Sequence, residues 1–193
     1  MTDGHGSGLC IVKLGGSLIH AAALRSWLTA AVERLTPCLI VPGGGPFADA
    51  VRAAQARLGF ADLAAHRMAI LAMQQYGLLL QALEPRLRLV ERDREIRALA
   101  RGQAAGVWLP WAMAGRDASL PASWAVTSDS LALILATRLR AARLLLVKAA
   151  PLPAGRDLAD LAALGLIDPA FPGLAKAFTG RIELHGGAAG AAP

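Results

Sequence analysis

Leu9-Cys10-Ile11-Val12-Lys13-Leu14-Gly15-Gly16-Ser17 is a short apolar run with one lysine near its end, closed by a glycine pair. A run of this length bounded by turn residues reads as a buried strand. Residues 21 to 35 then carry apolar positions at helical spacing. A second apolar run, Cys38 to Val41, ends in Pro42-Gly43-Gly44-Gly45-Pro46. Another helical pattern follows, with Phe47, Ala50, Val51, Ala54 and Leu58 on one face and Asp49, Arg52 and Gln55 off it. Strand, glycine turn and helix, given twice, is how a parallel βαβ sheet looks in sequence. The chain is therefore expected to be α/β, a three-layer αβα sandwich with a mainly parallel central sheet.

The remaining pattern continues the alternation. A long helix is expected over 60–83, a short strand over 86–90, a polar helix over 92–101, and a strand over 107–111 broken by Pro110. A loop over 116–123 precedes Ser128-Asp129-Ser130, which reads as the cap of a helix running to about Leu139. Leu144 to Val147 is the cleanest buried strand, closed by Lys148. Beyond it come a short helix near 157–164, a proline-rich stretch and a strand at 181–184. With 193 residues, no repeat and no linker, one domain over 1–187 is expected, followed by a disordered Gly/Ala tail at 188–193.

Composition narrows the function. Hydrophobic residues make up 55% of the chain, yet a charged or amide side chain interrupts every apolar stretch before the run of about 18 residues that a membrane span requires. The residues before Lys13 carry no leader pattern. A soluble, cytoplasmic protein with no membrane partner is expected. The net charge of +6 comes from arginines scattered at helical spacing, neither blocked nor interleaved with aromatics, so no nucleic-acid partner is expected. Such a surface suits phosphorylated metabolites. Cys10 and Cys38 form no CxxC pair and the histidines are dispersed, so both cysteines read as buried small hydrophobes and no metal site is expected.

Four features carry chemistry. Gly15, Gly16 and Ser17 follow a strand, where exposed amides and the next helix N-terminus can hold an anion; neither the Walker A nor the GxGxxG spacing is present, and glycines that merely turn the chain would look the same. Gly43, Gly44 and Gly45 repeat the arrangement at the end of the second strand, so the two loops are expected to face one another across one cleft beyond the strand ends. Among 20 basic residues only Lys13, Lys148 and Lys176 are lysine. Two of those three close predicted strands, where a compact ammonium can meet a transferring phosphoryl group. Thr127-Ser128-Asp129-Ser130 reads either as a plain helix cap or as a site at which Asp129 holds the lysines or helps to position Mg²⁺.

Taken together, Val12–Ser17, Pro42–Pro46, Thr127–Ser130 and the strand ending in Lys148 are similar, in order and spacing, to the amino acid kinase superfamily. Within it, His66–Gly77 and Val107–Trp111 most resemble a branch of short proteins that includes a methanofuran-pathway phosphate kinase and its relatives in methylotrophic bacteria. The resemblance implies an ATP-dependent phosphotransferase acting with Mg²⁺ on a small phosphorylated metabolite, and a homo-oligomer. It implies that Lys13 with the amides of Gly15 and Gly16 holds the β- and γ-phosphates. It places the acceptor's phosphate on Gly43, Gly44 and Gly45, with Thr127 and Ser128 beside it. Asp129 would organise the lysines, and Lys148 would stabilise the transition state from the nucleotide side. A phosphomonoester acceptor is already a nucleophile, which agrees with the lack of an obvious general base.

The resemblance departs from its pattern after Lys148. Many relatives continue with a Val-Asp-Gly type of segment and a longer nucleotide lobe, whereas this chain reads Ala149-Ala150-Pro151-Leu152-Pro153. An adenine side that is abbreviated, supplied by a neighbouring subunit, or lost is the expectation. The alternative is a non-catalytic nucleotide- or phosphate-binding member of the same fold. Acceptor selectivity is expected to depend on Tyr76, Trp108 and Trp111.

Overall fold

A computed structural model describes residues 8–187; the tail at 188–193, for which disorder was expected, lies outside the described residues. Six strands, β1 (Cys10–Leu14), β2 (Cys38–Pro42), β3 (Arg88–Val90), β4 (Ala105–Trp108), β5 (Arg143–Lys148) and β6 (Arg181–Gly186), form one sheet in the order β3-β4-β2-β1-β5-β6. Every pairing is parallel. The helices are α1 (Ala23–Glu33), α2 (Gly45–Leu58), α3 (Asp62–Leu83), α4 (Asp93–Arg101), α5 (Trp111–Ala114), α6 (Ser128–Leu139), α7 (Leu158–Ala163) and α8 (Phe171–Ala175). None of the described helices is long and apolar enough to cross a membrane.

The unbroken apolar runs of β1 and β2 reflect burial on both faces, as a parallel sheet between helical layers demands. On one face Cys10, Val12 and Leu14 join Trp27 and Leu28 of α1 and Tyr76 and Leu80 of α3. On the other, Ile11, Leu39, Val41, Leu144 and Leu146 meet Ile96 and Leu99 of α4 and Leu131 and Leu135 of α6. Two cores on one sheet make the three layers. Cys10 and Cys38 are register partners, free and buried, as their apolar setting suggests.

Strand periodicity then places the site. Side chains alternate across a strand, so Lys13 shares the face of Ile11, and Lys148 shares that of Leu144 and Leu146. Both lysines therefore leave the sheet on its α6 side. Lys13 pairs in register with Leu146, two residues before Lys148, which sets the two ammonium groups side by side at the carboxyl end of the sheet.

Some boundaries differ from the sequence expectation. Gly16–His20, read in sequence only as a glycine turn, winds as a 3-10 helix. β4 starts two residues early at Ala105 and ends at Trp108, because Pro110 starts a helix there instead of interrupting a strand. Pro172 and Gly173 sit inside α8, where proline is tolerated in the first turn; the proline-rich appearance of this stretch hides a helix. α6 begins at Ser128 with Thr127 as its N-cap, and Thr127 makes no capping bond of its own.

Candidate active site

Asp129 is the second residue of α6, and it lies where that helix start meets the ends of β1 and β5. Asp129 is 2% exposed and Lys13 is 4% exposed. Lys13 Nζ pairs with Asp129 Oδ1 at 2.7 Å, and Lys148 Nζ donates to Asp129 Oδ2 at 2.5 Å. Burial alone would raise the Asp129 pKa, but the charges of Lys13 and Lys148 outweigh it and hold the carboxyl below its ordinary value. Lys148 is pulled down to about 8, first by burial and then by repulsion from Lys13, with Asp129 and Asp168 opposing. Two cations share one carboxylate out of water. Such a group lacks one negative charge, and an anion brought to it supplies that charge.

The glycine loops do more than face each other. A Cβ on Gly16 would run into the backbone of Gly45, and one on Gly43 into the backbone of Gly16. The missing side chains let the two loops touch main chain to main chain. Gly43 N–H donates to the Leu14 carbonyl at 2.8 Å, and Gly15 N–H to the Val147 carbonyl at 2.9 Å. These two amides therefore tie the loop after β1 to its neighbours on both sides. Gly45 has φ +54°, a conformation that favours glycine.

Beside this junction lies a cavity of about 220 Å³. Gly16, Ser17, Gly44 and Gly45 form one wall, Thr127 and Ser128 a second, and Ala65, His66, Ala69, Ile70 and Met73 of α3 a third. Lys13, Gly15, Gly43, Asp129 and Lys148 do not line this cavity. Tyr76, Trp108 and Trp111, to which acceptor selectivity was attached, do not line it either; Tyr76 is fully buried in the core. The aromatic wall is Trp124. Its indole N–H donates to Gln55 Oε1 at 2.7 Å and the Arg52 guanidinium lies 4.4 Å from the ring centroid, so residues 123–126 are latched onto α2 across the mouth. Gln55 in turn donates to Asp62 Oδ1 at 2.7 Å.

Asp168 is the other residue that sequence reasoning passed over. It is 7% exposed, and its oxygens accept from Thr127 N at 2.7 Å, Thr127 Oγ1 at 2.6 Å and Ser130 N at 2.9 Å. Only its position in an Asp-Pro pair following an apolar stretch marks it in sequence. Among the described residues no group of three His, Cys, Asp or Glu side chains is arranged to hold a metal ion.

Comparison with known proteins gives the family and the fold. The sequence profile of the amino acid kinase family matches residues 8–151. The chain is 29% identical over 183 residues to a (5-(aminomethyl)furan-3-yl)methyl phosphate kinase of Methanocaldococcus jannaschii, an alignment covering 87% of this chain and 83% of that protein. The uridylate kinase of Archaeoglobus fulgidus superposes with a TM-score of 0.66 at 16% identity, over 91% of this chain and 89% of that one. The UMP kinase of Bacillus anthracis gives 0.64 at 15%, over 94% and 87%. At such identities the two solved structures speak for the fold alone.

Proposed function

The chain belongs to the amino acid kinase family, and from that premise we propose that it transfers the γ-phosphoryl group of ATP to a small phosphomonoester, giving a diphosphate and ADP. The observation that carries this reading is the buried Lys13–Asp129–Lys148 group beside a cavity walled by both glycine loops. An oxygen of the acceptor phosphate attacks the γ-phosphorus while the bond to the β-phosphate oxygen breaks, in line. A dianionic monoester needs no base, and the charge of the products equals that of the reactants. Catalysis is then a matter of placement and charge.

Lys13 and Lys148, held apart and aimed by one carboxylate, receive the charge that spreads over the transferring group. Gly16 and Ser17, together with the α6 N-terminus at Ser128, face the phosphates, while Gly15 and Gly43 shape the loops. Gly44, Gly45 and Thr127 cradle the acceptor side. Both Asp129 oxygens are taken by lysines, so Mg²⁺ would be held through the nucleotide's phosphates rather than by this carboxylate, and would supply charge neutralisation. The apolar walls and Trp124 suit a small ring-bearing acceptor, of the class named for the archaeal relative. The role in one-carbon cofactor assembly and a cytoplasmic location go with this reading.

The same reading includes self-association. Met68, Leu71 and Leu78 of α3 are 41%, 40% and 47% exposed and recur at three- and seven-residue steps, one stripe of a helix face. A second copy is the occupant in keeping with a homo-oligomeric kinase.

Incubation with γ-labelled ATP and a panel of phosphomonoesters tests the activity. Label should move to a ring-bearing monoester, and Lys13→Ala should reduce the rate by about a hundredfold or more. Transfer that persists unchanged in Lys13→Ala would overturn the assignment, and no transfer to any monoester would leave a binding protein.

A further inference from the structure

We propose that Asp168 is a positioning residue for phosphoryl transfer, fixing the first turn of α6 and through it the Asp129 carboxylate that carries both lysines. The inference rests on the kinase reading given above. Asp168 lies between α7 and α8, outside residues 8–151 matched by the family profile.

A helix start is ordinarily capped by the side chain of its own N-cap residue. Here Thr127 makes no such bond, and the cap is delivered from 38 and 41 residues away. The three hydrogen bonds end on Thr127 and Ser130, which bracket Asp129. Rotation of that turn, which would swing the Asp129 oxygens off Lys13 and Lys148, is thereby blocked. The anchor is itself firm. Ile167 and Phe171, on either side of Asp168, are buried at 3% and 0% exposure, and Ala170 N–H donates to the Ala125 carbonyl at 3.2 Å. One short segment therefore holds both the α6 start and the loop carrying Trp124.

Asp168 also contributes charge. The groups that face the Lys148 ammonium are Lys13 from β1, Asp129 from α6 and Asp168, and the last of these helps to keep Lys148 protonated. A merely structural cap would leave that protonation untouched, which gives the test its edge.

In Asp168→Asn the side chain keeps its shape and loses its charge. The expected result is kcat lower by about tenfold, KM values for both substrates within about threefold of wild type, and an alkaline limb of kcat/KM moved down by about half a pH unit. Asp168→Glu should return the limb to its wild-type position. An Asn variant with wild-type kcat and an unmoved limb overturns the proposal. Should the wild-type protein transfer no phosphate, the kinase reading fails, and Asp168 is then judged on Lys148 directly. With three lysines in the chain, a lysine-labelled NMR titration resolves Lys148, identified by its loss in Lys148→Arg. A lowered midpoint in Asp168→Asn supports the proposal and an unchanged one overturns it. Should the Asn variant fail to fold, Thr127→Val, which removes one of the three bonds, carries both readouts. A kcat about threefold lower with a displaced Lys148 signal supports the proposal; no change in either overturns it.

Discussion

Lys148 is where the physics of a single residue constrains the chemistry most tightly. Its ammonium, pulled down to about 8 chiefly by burial, is charged at neutral pH but titrates not far above it. Transition-state stabilisation needs the charged form, so kcat/KM should be level below that value and fall as pH rises through about 8. Lys148→Arg keeps its charge throughout, so that limb should vanish. The rate should also drop, because a planar guanidinium cannot share Asp129 with Lys13 in the same geometry. A pH–rate profile of both proteins checks this, and an alkaline limb that survives unchanged in Lys148→Arg would assign it to another group.

At the scale of elements, the junction of the two glycine loops is the structural hinge of the account. Gly16→Ala pushes a methyl group into the Gly45 backbone, which cannot step aside as a side-chain tip can. Urea denaturation should show a loss of about 2 kcal/mol or more, and any folded fraction should bind acceptor poorly. Gly59 provides the contrast. It has φ +69° at the end of α2 with open space around it, so Gly59→Ala should cost only about 1 kcal/mol, from backbone strain, with activity retained. Equal losses at the two positions would mean that the loop contact contributes little.

These elements also show what sequence can and cannot carry. β1, β2 and β5 were legible because burial on both faces leaves an unbroken apolar run, and the alternation of strand and helix gave the parallel sheet. Lys13 and Lys148 stood out because lysine is scarce in an arginine-rich chain, and Asp129 because it sits in a cap cluster at a helix start. The reason for the glycines was only half legible. Their need for space was visible, but the object filling that space is the other loop, a contact between segments some 30 residues apart in sequence. Asp168 and Trp124 were not legible at all as site residues, since their partners lie 38 and 41 residues away in one case and 69 in the other. Local pattern reports propensity and burial; a cap or latch supplied from a distant segment leaves no periodic trace.

For the molecule as a whole, the carboxyl end of the sheet carries the Lys13–Asp129–Lys148 group, while the outer face of α3 exposes Met68, Leu71 and Leu78. On the proposed self-association, a second copy would cover Met68, Leu71 and Leu78. Leu71→Asp should therefore convert the protein to monomers in analytical ultracentrifugation at micromolar concentration, since an unpaired charge cannot be buried cheaply. A wild-type protein that is already monomeric there would remove the self-association reading and leave the kinase reading standing. The central claim is phosphoryl transfer from ATP to a phosphomonoester, and ³¹P NMR of MgATP with aminomethylfuran-methyl phosphate measures it most directly. The account predicts that the monoester resonance gives way to the two coupled resonances of a diphosphate as ADP accumulates, and that neither change occurs with Lys13→Ala. A monoester resonance that stays intact, with ATP either unchanged or hydrolysed to inorganic phosphate, would contradict it.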